Sequence, residues 1–122
     1  MLTTVISVPD TLPARAVIDA GAKTLSSTPL HSQYKSGEPG YLFGGKPKLG
    51  HIVGRPDLWL GRLPIVNGVI YFMDPNKKVS IGERLEVIPN AGCMVAGIHS
   101  RIYGVRKGKV EKLLKNEDTR SY

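Results

Sequence analysis

Apolar and polar positions change over every few residues along this chain, and glycine or proline interrupts each apolar run before it lengthens. Thr3–Val8 is β-branched and extended until Pro9 closes it, and Arg15-Ala16-Val17-Ile18 forms a second short run ending at Asp19-Ala20-Gly21. Gly50–Gly54, Leu58–Leu63 and Gly68–Met73 follow, separated by Pro or Gly. The clearest alternation lies in Val79–Pro89, where Leu85 and Val87 share one face and Arg84, Glu86 and Ile88 the other. Such alternation marks a half-buried strand, entered here by a glycine turn at Gly82 and stopped by Pro89. Ser100–Arg106 and Lys109–Leu114 flank Lys107-Gly108, the composition of a hairpin tip. Gly92–Gly97 is small and apolar and suits a turn of helix. Seven or eight short strands at this spacing predict an all-β fold, a small barrel or sandwich.

Between Ser26 and Pro47 no such pattern holds. This Gly/Pro/Ser-rich stretch exceeds the ~12–15 residues usual for a structureless loop, so it is expected to pack or to face a partner. It carries Leu30, Tyr34, Tyr41, Leu42 and Phe43, whose apolar side chains predict self-association or a partner surface there.

The chain has 122 residues, the size of one domain, and residues 1–122 are expected to form a single β-domain with no internal linker. Fourteen Gly and nine Pro explain why no long helix is expected. No apolar run approaches the ~20 residues of a membrane-crossing helix, and the first residues lack the basic and apolar regions of a secretory signal. A cytoplasmic protein is the expectation. The net charge of +7 is concentrated in Arg101–Lys115, where Arg101, Arg106, Lys107, Lys109, Lys112 and Lys115 meet only Glu111. That tract could face nucleic acid, but Tyr103 is its sole aromatic, so the stacking platforms of single-strand binders are missing and a solvated hairpin face is favoured.

Catalytic chemistry is sparse. His31, His51 and His99 stand far apart, and the single cysteine, Cys93, is expected to be a small buried hydrophobe. Gly37-Glu38-Pro39-Gly40 and Gly44-Gly45-Lys46 are glycine-rich, yet neither joins a strand to a helix as a phosphate cradle does. Spacing alone does not make Cys93 and His99 a nucleophile and base.

Three stretches together carry a resemblance. Val5-Ile6-Ser7-Val8-Pro9, the run Arg15-Ala16-Val17-Ile18-Asp19-Ala20-Gly21-Ala22-Lys23-Thr24-Leu25-Ser26, and the strand ending Glu86-Val87-Ile88-Pro89-Asn90 resemble the C-terminal β-domain of the D-serine dehydratase and D-threonine aldolase-like family. The terminal hairpin is similar too, with Arg120-Ser121 near the usual ending. The resemblance implies a β-domain like that of alanine racemase. It also implies a two-part enzyme whose (β/α)₈ barrel holds pyridoxal phosphate on a lysine, and that barrel is outside this sequence. Lys23 belongs to the β-domain motif and is not the Schiff-base lysine. Asp19, Lys23 and Asn90 are the positions the resemblance turns toward the site, though none is assigned a catalytic role. The family's metal-binding His-x-Cys or His-x-Asp pair falls on Ala91-Gly92-Cys93, which leaves Cys93 as a residual ligand position, too little for a metal site. The family's Glu-His-Gly step falls on Val66-Asn67-Gly68.

The resulting expectation is an accessory or separated β-domain that completes a site on a pyridoxal-phosphate barrel, and that holds no cofactor and is not catalytic alone. Two other readings stay open: a basic barrel binding nucleic acid through Arg101–Lys115, and a β-domain assembling with its own copies.

Overall fold

The structure is a computed structural model and describes residues 1–29 and 42–116. Six strands make one antiparallel sheet: β1 (Leu2–Ser7), β2 (Arg15–Ile18), β5 (Gly50–Ile52), β6 (Leu58–Arg62), β7 (Gly68–Phe72) and β8 (Arg84–Pro89). Their order is β5-β8-β1-β2-β7-β6. The two outer strands then approach each other, and the Leu49 amide donates to the Leu60 carbonyl at 2.9 Å, which nearly closes the sheet into a barrel. Two short helices, α1 (Ala22–Leu25) and α2 (Gly92–Ile98), lie at one end. Two further pairs stand outside the sheet: β3 (Leu42–Phe43) with β4 (Lys46–Pro47), and β9 (Arg101–Arg106) with β10 (Lys109–Lys115).

The all-β expectation holds, and all eight stretches read as strands contain one. Alternation does the work: Leu85 and Val87 are buried while Arg84, Glu86 and Ile88 face out. Val5, Ile18, Leu25, Leu60, Ile70 and Val87 are sealed from solvent inside the barrel. Each such side chain contributes about 1.5–3 kcal/mol on burial. The Lys107-Gly108 tip has positive φ at both residues (50° and 75°), the geometry of a two-residue hairpin turn. The glycine turn expected at Gly82 is present (φ 89°): Glu83 accepts from the Ser80 amide, and the strand that follows pairs over Arg84–Pro89.

Part of the long central stretch covers the barrel's outer wall. Trp59 and Tyr71 are opposite each other on β6 and β7 and point away from the inner core. Phe43 packs on Trp59 (ring centroids 6.1 Å apart), Trp59 Nε1 donates to the Lys46 carbonyl, and the Lys46 ammonium sits 4.6 Å from the Tyr71 ring centre. Phe43 is thus satisfied within its own chain. Leu30, Tyr34 and Tyr41, three of the other four side chains expected to drive self-association, lie outside the described residues, as do the side chain of Leu42 and Arg120-Ser121. No helix among the described residues is long and apolar enough to cross a membrane.

Candidate functional site

Antiparallel register decides which loops share an end of the barrel. β2 ends beside the start of β1, since Ile18 pairs with Val5, and β8 ends there too, since Glu86 pairs with Leu2. β7 starts there, Gly68 being opposite Ile18. Residues 19–28, 63–67 and 89–99 therefore converge, and with them Asp19, Lys23, Asn90 and Cys93.

α1 is held to the 63–67 loop by two backbone bonds, Ala22 N to the Pro64 carbonyl (2.8 Å) and Lys23 N to the Ile65 carbonyl (3.1 Å). Close approach requires glycine on both sides. A Cβ on Gly21 would lie 2.5 Å from three backbone atoms of that loop, and one on Gly68 would lie 2.6 Å from the Ala20 carbonyl oxygen. α2 packs beside α1: Met94 sulfur accepts from Thr28 Oγ1 at 3.5 Å, and His99 Nε2 lies 2.9 Å from the Thr24 carbonyl oxygen. A carbonyl can only accept, so that ring nitrogen carries a proton.

Two candidates are committed to holding the fold at this end. Asp19 Oδ1 accepts from Thr3 Oγ1 (2.5 Å) and from the Thr4 amide (2.9 Å). These bonds, the hydroxyl's foremost, hold its carboxyl below the ordinary carboxylate range. Asn90 Nδ2 donates to the Thr28 carbonyl (2.9 Å) and the Lys48 carbonyl (2.8 Å), tying two crossing segments to the end of β8. Lys23 is different: it is exposed, and its ammonium has no hydrogen bond or ion pair among the described residues. Cys93 is exposed as well, which corrects the expectation of a buried thiol. The reason is the helix: α2 turns Val95 inward, and Cys93, two residues earlier, faces solvent.

No group of three His, Cys, Asp or Glu able to hold a metal occurs among the described residues. An exposed thiol beside Ala91 does not fit a divalent ion, and an exposed lysine on a four-residue helix does not fit a pyridoxal phosphate anchor. His99 turns Nε2 toward α1. His51 lies on the barrel flank, where its Nδ1 is 3.4 Å from the Lys48 ammonium, and His31 is outside the described residues. The Cys93–His99 pair stays unsupported.

What residue-by-residue reading missed is the surface these elements make together. Ile65 and Val66 on the loop, and Met94 and Ile98 on α2, are exposed at 64%, 62%, 53% and 42%. They lie on the two elements that bond to α1, the helix that carries Lys23, and to the residues after it. The only sequence signal is Pro64-Ile65-Val66, apolar residues in a tight loop where polar ones are usual. An open cleft of about 390 Å³ lies at the opposite end, lined in part by Asp10, Arg15 and Lys78, away from every candidate. Among the described residues, the α1/α2 end offers an apolar rim and the exposed Lys23 ammonium, a surface that can cover a site.

A family model described as "Putative serine dehydratase domain" matches residues 1–105. No curated protein matches the sequence. Among solved structures, D-threonine aldolase from Filomicrobium marinum is similar over 93% of this chain and 26% of its own, with 22% identity and a TM-score of 0.66. D-threo-3-hydroxyaspartate dehydratase from Delftia sp. HT23 is similar over 94% and 31%, with 18% identity and a TM-score of 0.69. An alanine racemase-like protein from Idiomarina loihiensis is similar over 84% and 26%, with 18% identity and a TM-score of 0.62. The chain thus spans about a quarter to a third of the length of these proteins. At these identities the likeness shows the fold.

Proposed function

From the premise that this chain belongs to the serine dehydratase domain family, we propose that it is the β-domain that closes over a site carried by a pyridoxal-phosphate barrel. In this reading the assembled protein is a lyase acting on D-amino acids. The observation that carries the reading is the apolar rim of Ile65, Val66, Met94 and Ile98 at the α1/α2 end. Four exposed apolar side chains gathered at one end are costly in water and inexpensive under a partner surface. The chain's short span against the aldolase and dehydratase supports a partner of that size.

The residues present do not fit the cofactor or a metal, so both belong, in this reading, to the barrel side. This chain's own contribution is to exclude water from the joined surface and to present the Lys23 ammonium to an anionic group across it. Excluding water strengthens every charge interaction at such a junction.

The test compares the chain alone with the chain joined to its barrel. Alone, it should give no internal-aldimine absorbance when pyridoxal phosphate is added and should not consume D-serine or D-threonine. In the assembled protein, Val66→Asp with Met94→Asp should lower turnover while the melting temperature of the β-domain stays unchanged. A borohydride-fixed adduct at Lys23, or turnover by the isolated chain, would overturn the proposal.

A further inference from the structure

The β9–β10 ribbon stands apart from the barrel sheet. All seven residues of β10 are exposed, and among the described residues β10 pairs only with β9. Two cross-strand pairs, Tyr103 with Leu113 and Val105 with Val110, are apolar and exposed to between 42% and 64%. Among the described residues the outer edge of β10 therefore presents amides and carbonyls with no strand paired to them, beside apolar side chains, the template on which another strand pairs. A ribbon of two strands is marginal in water by itself, so a third strand would stabilise it.

We propose that the outer edge of β10 accepts an extended, acidic protein segment as a third strand. Charge selects this occupant. Lys109, Lys112 and Lys115 lie along β10, and Arg101, Arg106 and Lys107 lie on the rest of the ribbon, against Glu111 alone. Glu111 is itself engaged by Arg106 at 3.3 Å. Two copies of β10 brought edge to edge would place lysines against lysines, which disfavours self-pairing. The same lysines face opposite charges when the incoming strand is acidic. Alternating apolar residues on that strand would lie beside the Tyr103/Leu113 and Val105/Val110 pairs. A nucleic acid strand matches the charge but finds one aromatic ring, Tyr103, to stack on. The inference concerns a surface separate from the α1/α2 end and stands or falls independently of the function proposed above.

The probe is an acetylated and amidated Glu-Val repeat peptide of eight residues, with the Lys-Val peptide as its counterpart, added to isotopically labelled protein. The Glu-Val peptide should shift the β10 amides and slow the exchange of alternate ones along Lys109–Lys115. Affinity should fall about tenfold or more between 0.1 and 1 M salt, as the screening length drops from about 10 Å to about 3 Å. Charge reversal by Lys109→Glu, Lys112→Glu and Lys115→Glu should transfer binding to the Lys-Val peptide, and Glu111→Gln should tighten the Glu-Val peptide. Unmoved β10 amides at millimolar Glu-Val peptide would overturn the proposal. So would equal binding of both peptides, a dimer formed through β10 in sedimentation, or tighter binding of a short oligouridylate to the same edge.

Discussion

Replacing Gly21 by alanine drives a methyl group into the backbone of the 63–67 loop, 2.5 Å from Asn67 N, Pro64 O and Val66 C. Backbone atoms cannot rotate away as a side chain can, and the loop carries the exposed Ile65 and Val66. The backbone angle is not the obstacle, because φ at Gly21 is −117°, open to any residue. Only space is. Overpacking of this kind costs about 1–3 kcal/mol. Loss of the Ala22–Pro64 and Lys23–Ile65 backbone bonds adds about 1 kcal/mol each. Alanine returns about 0.4–1 kcal/mol by restricting the unfolded chain. The net is a destabilisation of about 2–5 kcal/mol, or about 8–20 °C in melting temperature at about 4 °C per kcal/mol for a domain of this size. Thermal unfolding followed by circular dichroism measures it. Gly92→Ala is the control, since nothing lies within 4 Å of a Cβ there. If Gly21→Ala melts with the wild type and leaves the amide signals of residues 63–67 unmoved, the close approach of α1 to this loop is refuted, and with it the account of how the rim is held.

Asn90→Ala should cost about 1–3 kcal/mol by leaving the Thr28 and Lys48 carbonyls without their donor. Asn90→Asp should cost more at neutral pH, where a carboxylate would face two carbonyls, and less as it protonates; a loss independent of pH would contradict the geometry. Asp57 is held below the usual carboxylate range chiefly by its hydrogen bonds from Arg55, 3.1 and 2.9 Å long. A lowered folded value means this stabilisation is complete above the unfolded value of about 3.9 and is lost as pH falls through the folded one. The melting temperature should therefore drop on acidification below about pH 4, and less steeply in Asp57→Asn. Zinc should bind weakly and without stoichiometry, as elemental analysis can show, and one zinc per chain lost in Cys93→Ser would mean that other residues rebuild a site. Under the proposed function the isolated chain should self-associate at micromolar concentration by light scattering, and Val66→Ser with Met94→Ser should relieve this; a wild-type monomer would remove the argument from the rim.

The chain by itself determined its strands. Alternation at Leu85 and Val87, the stops at Pro9 and Pro89 and the Lys107-Gly108 tip are local facts of backbone geometry, so they were legible without a partner residue. The motif through Asp19, Gly21 and Lys23 marked the family by the same local means. Local pattern gave no hint of α1, because four residues are too few to show a helical period. It also placed Cys93 inside, because a small apolar run does not say which way a short helix turns. The tertiary structure decided which loops share an end, that Phe43 and Lys46 cover Trp59 and Tyr71, and that Asp19 and Asn90 tie crossing segments together by hydrogen bonds. Those outcomes depend on register between strands far apart in the chain. Burial and hydrogen bonding across such distances are properties of pairs, and no single position in a sequence carries them.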